Sequence, residues 1–348
     1  MRYHHGGEND YRYHARGRSR DGCVYTVKRS LLVPTLTVLL VILVVCSLFV
    51  GVSEIRIAQL LRLTDDQVTV LLTSRVPRTA AIILAGVGMG VSGLIMQQLS
   101  RNKFVSPTTA GTDDSARLGI LVAMILFGSA SMMQKMILAL IFALTGTYIF
   151  MTILDRVKLK DAVFIPLVGL MFGSIVSSIT TFFAYRYDLL QAVTTWLQGN
   201  FALVIKGRYE LLYLAVPAVI AAYVYANRFT IAGMGEDFAT SLGVNYRQVV
   251  NIGLGLVSLV SALVILTVGM LPFLGLIIPN LVTMFQGDHL RRNLPLTALV
   301  GAVFLLACDI VGRLLIYPYE VPIGLTVGVI GSGMFLYLLW KGQRTREA

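Results

Sequence analysis

The sequence predicts an all-α, polytopic membrane protein with about ten transmembrane helices, one of them short and interrupted. Three observations carry this prediction: 56% of the 348 residues are hydrophobic, only 14% are charged, and the mean hydropathy is +0.76. A soluble domain carries about 45–50% apolar and roughly 25% charged residues, so it could not cover this much apolar surface. Ten spans of about 20 residues each would occupy a little over half of the chain, in agreement with the apolar fraction.

The distribution of basic residues predicts the orientation of these spans. The formal net charge is +11, and seven basic residues fall within the first 30 positions, ahead of the first apolar run. Basic residues beside a span mark its cytoplasmic end, because their translocation is disfavoured. We therefore expect a basic cytoplasmic tail at 1–30, a membrane domain at 31–341 and a cytoplasmic carboxyl terminus at 342–348. The charge is ascribed to orientation, and nucleic acid is not expected as a partner.

The first half of the chain contains five apolar runs, which predict spans at 31–53, 79–99, 118–131, 135–154 and 162–184. The more polar segment 54–78 is expected outside the membrane. Basic residues follow the second span, at Arg101 and Lys103, and the fourth span, at 155–161, so both loops are expected in the cytoplasm. The polar stretch 106–117 is expected to precede the third span.

The second half predicts five further spans, at 209–226, 248–271, 273–286, 294–316 and 322–340. The amphipathic segment 185–208 should lie outside and could hold a short interfacial helix, although Lys206 and Arg208 run against the charge rule there. The polar loop 227–247 is expected in the cytoplasm.

Two features of the later spans are informative. Pro272 and Pro279 bracket Gly275, which predicts a short or broken eighth helix; such backbone survives at membrane depth only when it is buried in protein or lines a cavity. Asp309 and Arg313 stand four residues apart, so they could pair on one face of the ninth helix.

Several classes of protein are disfavoured by the motifs that the sequence lacks. It has no G-x-x-x-x-G-K-[ST] phosphate-binding loop, so the chain is not expected to be an ATPase. Neither H-E-x-x-H nor G-x-S-x-G occurs, so no hydrolase is indicated. Charges deep in the predicted spans are nearly absent, whereas ion-coupled pumps usually display them. These features indicate a passage whose energy comes from elsewhere.

Three stretches together carry a resemblance to a known family. The first is SRVPRTAAIILAGVGMGVSGLIMQQLSRNKFVSPTTAGTDDSARLG at 74–119, and the second is GMGEDFATSLGVNYR at 233–247. The third is VGMLPFLGLIIPNLV at 268–282, which is followed by the segments at 287–315 and 320–339. The chain resembles, over about 30–341, the FecCD-type permeases of bacterial ABC importers for iron–siderophores, haem and vitamin B12. The resemblance implies ten helices in the bacterial cell (inner) membrane, a second permease subunit (identical or different), two cytoplasmic ATPases and an extracytoplasmic siderophore-binding protein.

The resemblance also implies an ATPase-coupling helix in the loop between the sixth and seventh spans. The matching residues are Gly235, Glu236, Asp237, Phe238, Ala239, Thr240, Ser241, Leu242 and Gly243. Their chemistry suits a short helix, because acidic residues favour a helix amino terminus and glycine favours its end. Phe238 and Leu242, four residues apart, would share one face. Without the resemblance, the same pattern would be typical of an ordinary surface helix.

External arginines of this family can pair with acidic residues of the binding protein, and the matching positions are Arg75, Arg78 and Arg313. Guanidinium groups suit the recognition of carboxylates. The alternative is that these side chains only reach toward the membrane interface.

The remaining expectations concern the cargo. Within the family, RNKFVSPTTAGT and LPFLGLIIPN look like the branch that handles catecholate siderophores such as petrobactin, although Asn280 and Leu271 depart from the usual His and Gly. Haem, cobalamin or a metal ion are alternative cargoes, and an ion-coupled secondary transporter is a more distant alternative. No cofactor is expected, because iron would travel as cargo. The predicted passage residues are Met89, Met96, Gln97, Pro272, Gly275, Pro279 and Asn280.

Overall fold

The computed structural model describes residues 29–50, 65–128, 131–156, 164–207 and 209–347. Most of the basic tail predicted at 1–30 lies outside these residues, as do Arg208 and most of the basic loop predicted at 155–161. Within the described ranges the chain is all-α, with two isolated β-bridges.

Thirteen α-helices occur in the described part of the chain. They are α1 (Arg29–Phe49), α2 (Asp65–Val70), α3 (Val76–Leu99), α4 (Thr112–Leu126), α5 (Met132–Arg156), α6 (Phe164–Arg186), α7 (Leu190–Leu197), α8 (Ala215–Ala232), α9 (Glu236–Ser241), α10 (Tyr246–Val268), α11 (Leu274–Gln286), α12 (Leu290–Leu314) and α13 (Ile323–Glu347).

Ten of these helices, all except α2, α7 and α9, correspond to the ten predicted spans, so the predicted fold class is confirmed. Seven helical segments of the described residues are long and apolar enough to cross a membrane by length and composition. The eighth predicted span, α11, is short and carries Pro279 inside the helix, as the sequence predicted. The helix predicted within 185–208 is α7.

The second span begins earlier than the sequence predicted. Residues 65–78, expected as part of an external polar segment, are helical from Asp65, and a π-turn at Leu71–Arg75 joins α2 to α3 without a break. Asp65 stands where a helix amino terminus favours negative charge. The apolar residues that follow it extend the helical pattern to Pro77, which occupies the first turn of α3, where proline is tolerated.

The third span also begins earlier than predicted, because α4 starts at Thr112 rather than 118. Gly111 precedes it in the left-handed conformation, with φ of 69°. The hydroxyl of Thr112 lies 3.1 Å from that of Thr147 on α5 and 3.0 Å from that of Ser258 on α10, which fixes the start of α4 between these two helices. Asp113, Asp114 and Arg117 therefore lie within a helix rather than in a loop ahead of it.

The centre of the bundle is α3, which contacts α12, α10, α11 and α8. Two glycines of α3 permit this packing: Gly86, which faces α12, and Gly93, which faces α11. A Cβ added to Gly86 would lie 2.6 Å from the carbonyl oxygen of Gly301 on α12. Because the backbones themselves are in contact at such points, the glycines act as close-packing residues, as small residues do between membrane helices.

Backbone hydrogen bonds join three segments at the bundle end where α3 begins. The amide of Met270 donates to the carbonyl of Leu197 (2.9 Å), and that of Asn200 donates to Val268 (2.9 Å). The amide of Gly324 donates to Gly199 (3.2 Å). The segment after α7 is thus fixed to the end of α10 and to the start of α13.

Candidate functional site

The predicted coupling segment forms a short helix, α9, in the loop between α8 and α10. Gly235 precedes it with φ of 117°, and Gly243 follows it with φ of 74°, conformations that L side chains rarely adopt. Glu236 and Asp237 occupy the first turn. The helix predicted from 235–243 is therefore present, with glycines at both of its ends.

One face of α9 presents apolar side chains to solvent. Phe238 is 46% exposed and Leu242 is 56% exposed, while Ala239 between them is fully buried. Met234, just ahead of α9, is 57% exposed and was missed in the sequence reading. The sequence spacing could have indicated it, because Met234, Phe238 and Leu242 are each four residues apart, the spacing of one helix face. Adjacent exposed apolar groups of this kind are typical of a protein interaction site.

The three predicted arginines lie together at the opposite end of α3. One guanidinium nitrogen of Arg78 lies 2.8 Å from a carboxylate oxygen of Asp309, and the other lies 2.7 Å from Glu320. The second carboxylate oxygen of Asp309 pairs with Arg313, so the pairing predicted for Asp309 and Arg313 is confirmed. Glu320, which is distant in the sequence, was not predicted as a member of this cluster.

Two of these arginines also hold the carboxyl end of α1. Arg313 donates to the carbonyl oxygens of Ser47 (2.9 Å) and Val50 (3.0 Å). Arg75 donates to the carbonyl oxygens of Leu48 and Phe49. The last carbonyls of a helix have no intrahelical partner, so the guanidinium groups satisfy acceptors that would otherwise be unpaired.

The arginine cluster is largely buried within the chain. Arg75 is 6% exposed and Arg313 is 5% exposed, whereas the side chain of Arg78 is 12% exposed. Among the charged members of the cluster, Glu320 has the most accessible side chain, at 26%. Contact of the three arginines with a binding protein stays a prediction, and any such contact would compete with these internal partners.

The predicted passage residues are brought together along the contact between α3 and α11. Met89, Met96 and Gln97 are buried, and the Gln97 amide donates to the Leu276 carbonyl at 3.2 Å. Asn280 is partly buried, and its amide donates to the carbonyl of Lys103 at 2.7 Å. Gly275 and Pro279 are buried as well, and Pro272 is partly buried. These residues lie inside the bundle of a single chain, and their place on a passage wall stays a prediction.

A polar face of α6 was missed in the sequence reading. Hydroxyl side chains line an open cavity of about 620 Å³ together with Thr108 and Asp114; they belong to Ser174, Ser177, Ser178 and Thr181. Ser177 and Asp114 therefore face the same cavity. The spacing of these four residues, at i, i+3, i+4 and i+7, was a readable signal for one helix face.

Comparisons with known proteins agree with this architecture. The sequence matches the FecCD transport family over residues 39–341. It is 61% identical over 306 residues to the petrobactin import system permease protein YclN of Bacillus subtilis, covering 88% of this chain and 97% of that protein. It is 41% identical over 298 residues to the ferric-anguibactin transport system permease protein FatD of Vibrio anguillarum, covering 86% and 95% of the two chains.

The fold is similar to that of a solved structure described as an inward-facing metal-chelate type ABC transporter. The TM-score is 0.80 at 26% sequence identity, and the match covers 90% of this chain and 99% of the other. The family match spans most of the chain, and its ten principal helices agree with a multi-pass permease. The chain therefore belongs to the FecCD transport family, of which it is a membrane-spanning permease and not the ATPase.

Proposed function

We propose that this chain is the permease subunit of an ATP-driven bacterial importer that carries a ferric siderophore, of the catecholate type, into the cytoplasm. The observation that carries the proposal is the 61% identity, over 88% of the chain, to a petrobactin import permease. The 41% identity to a ferric-anguibactin permease supports a ferric siderophore as the class of cargo. In this proposal iron is cargo, and the chain needs no cofactor of its own.

The energy for transport would come from two cytoplasmic ATPases, each docked on an α9 helix. The exposed Phe238 and Leu242 support this role, because burying apolar side chains of a cytoplasmic loop under a partner protein removes them from water and so stabilises the complex. A second permease, identical or different, completes the assembly. Both chain termini lie in the cytoplasm in this arrangement, in agreement with the basic residues beside the first and last spans.

The extracytoplasmic binding protein would dock at the other end of the bundle. Arg78 and Gln98, which touch the arginine cluster and the α9 loop respectively, are 20 residues apart on one helix. At 1.5 Å per residue, that separation is about 30 Å, which is the thickness of the hydrocarbon core. Acidic groups of the binding protein would compete with Glu320 for Arg78, with Arg75 and Arg313 behind them.

The passage would lie against the polar face of α6. The Ser174 and Ser178 hydroxyls donate to carbonyls one turn back in α6, but the carboxyl group of Asp114 lines the same cavity and does not suit contact with lipid tails, so a water-filled space or another subunit should cover this face. We place the second permease opposite this face, with the wall residues predicted on α3 and α11 behind it. Asp113 and Asp114 lie within α4, so the helices do contain carboxyl groups. Membership of the FecCD transport family is what disfavours an ion-coupled transporter.

Reconstitution tests the proposal directly. The purified permease, its ATPase and its binding protein are placed in proteoliposomes, and uptake of radiolabelled ferric petrobactin is measured with and without ATP. We expect uptake that requires both ATP and the ATPase. Uptake driven by an ion gradient in the absence of the ATPase would contradict the proposal. ATP-dependent uptake of haem, cobalamin or free metal instead of the siderophore would contradict the cargo alone.

A further inference from the structure

Arg101 has a backbone conformation that favours glycine. It follows the carboxyl end of α3 with φ of 48°. The amide of Asn102 donates to the carbonyl of Gln97 (3.2 Å), and that of Arg101 donates to Gln98 (3.4 Å). This hydrogen-bond pattern is the Schellman motif, in which the residue at the position of Arg101 is usually glycine. A residue with a Cβ therefore occupies a position whose backbone conformation disfavours one.

The side chain of Arg101 extends to Gly235, which precedes α9. A Cβ built on Gly235 would lie 3.3 Å from the Nη1 atom of Arg101, so the guanidinium occupies the space beside the Gly235 Cα. Tyr246, which opens α10, lies within electrostatic range of both Arg101 and Glu236. The guanidinium therefore lies near the starts of both α9 and α10.

A second contact joins the last turn of α3 to the same loop. A Cβ built on Gly233 would lie 2.2 Å from the side-chain nitrogen Nε2 of Gln98 and 2.9 Å from the backbone carbonyl oxygen of Gln98. Gln98 therefore packs beside Gly233, and Arg101 beside Gly235, just ahead of α9. The carboxyl end of α3 is thus the part of the bundle on which the segment before α9 packs.

A displacement of the carboxyl end of α3 would be transmitted to the centre of the bundle. α3 is packed on α12, α10, α11 and α8, and its glycines bring its backbone against those of α11 and α12. At these contacts no side chains lie between the helix backbones to absorb a shift, so α11 and α12 would move with the end of α3.

We propose that Arg101 is a positioning residue that couples α9 to α3, holding the start of α9 against the end of the central helix while the ATPase moves it. An arginine in place of the favoured glycine fits this role, because disfavoured backbone conformations concentrate where a side chain is needed for function. The proposal rests on the proposed function, since it takes α9 as the element on which the ATPase acts.

The test compares Arg101→Gly with the native chain in proteoliposomes that contain the ATPase and the binding protein. Glycine suits the backbone, so we expect the variant to fold with an unchanged or raised melting temperature and to bind the ATPase normally. The amount of ferric petrobactin transported per ATP hydrolysed should fall at least about fivefold, the lower range of coupling between sites. Arg101→Lys, which keeps a long cationic side chain, should retain part of the coupling.

Asp188→Gly is the matched control. Asp188 is also an exposed non-glycine residue with positive φ, at 54°, but it follows α6 far from α9 in the sequence. We expect its transport per ATP to be unchanged. Arg101→Asn serves as a second test variant, because asparagine tolerates this backbone region but lacks the reach to Gly235.

Unchanged transport per ATP in Arg101→Gly, or an equal loss in Asp188→Gly, would overturn the inference. Loss of ATPase binding in Arg101→Gly would also overturn it, because Arg101 would then be a docking residue. The proposed function fails separately, if Leu242→Asp leaves both ATPase binding and transport intact.

Discussion

Gly93 of α3 and Gly275 of α11 touch through their backbones: a Cβ added to Gly93 would lie 1.9 Å from the Gly275 carbonyl oxygen. Gly93→Ala should therefore force the two helices apart and lower stability by about 1–3 kcal/mol, the usual cost of overpacking. Thermal unfolding of the detergent-purified permease measures the effect. Gly255→Ala on α10, where nothing lies within 4 Å of the added Cβ, is the control and should not lower the melting temperature. Equal melting temperatures for the two variants would contradict the close contact.

Leu242→Asp should release the ATPase, because it places a charge in the exposed apolar face formed with Met234 and Phe238. Burial of a leucine contributes about 1.5–3 kcal/mol, so ATPase affinity should fall at least about tenfold. Co-purification and titration of the ATPase measure this loss. Thr240→Asp adds the same charge at an exposed position two residues from both Phe238 and Leu242, on the opposite side of α9, and should bind nearly normally. Equal affinities for both variants would argue against docking on this face.

Asp309→Asn should destabilise the permease strongly. Asp309 is 3% exposed and pairs with both Arg78 and Arg313, so the substitution puts a neutral amide between them, while Arg78 keeps its ion pair with Glu320. Breaking a buried ion pair by removing one member costs about 3–5 kcal/mol. Glu320→Gln, whose side chain is 26% exposed, should cost less than about 1 kcal/mol. A thermal melt of both variants tests this difference, and a smaller loss for Asp309→Asn than for Glu320→Gln would contradict the arrangement.

Glu320→Gln should raise the affinity for the binding protein. The change removes a carboxylate that lies 2.7 Å from Arg78, so the guanidinium becomes more available to acidic groups of a partner. Arg78→Gln should lower the affinity. Surface plasmon resonance with the reconstituted permease measures both variants. Unchanged affinity in both would mean that the arginine cluster only holds the helices together.

Ser178→Trp should block transport without releasing the ATPase. Ser178 lines the cavity beside α6, and an indole would fill part of its approximately 620 Å³. Ile179→Trp, on the adjacent exposed position of the same helix, lies outside the cavity lining and should transport normally. Uptake per reconstituted complex is the measurement. Normal uptake by Ser178→Trp would place the passage elsewhere.

Local sequence features agree with the short helix α9, which the family resemblance implied. The acidic residues and the glycine of GEDFATSLG set the ends of α9, and these preferences act within a single helical turn. The start of α4 could not be predicted in the same way. Asp113 and Asp114 lower the local hydropathy, yet α5 and α10 hold Thr112 through hydroxyl contacts that the sequence does not display.

The cluster of arginines shows the same division. The pair of Asp309 and Arg313 was predicted because both residues lie on one helix, four positions apart. Arg78 is 231 residues from Asp309 and 242 from Glu320, so its partners depended on how three distant segments meet. Arg101 was read only as a cytoplasmic marker, since nothing local reveals that its side chain reaches Gly235.

Hydropathy and local motifs were sufficient to predict the class of fold, the approximate positions of ten helices and the segment that forms α9. Runs of about 20 apolar residues and short capping patterns are properties of the chain that need no partner. The central position of α3, the open cavity beside the α6 hydroxyls and the internal pairing of the predicted arginines depend on how distant helices pack, and no local pattern reveals them. Lipid tails and the interior of a helix bundle are equally apolar, so hydropathy alone cannot distinguish a helix that faces lipid from one that faces protein.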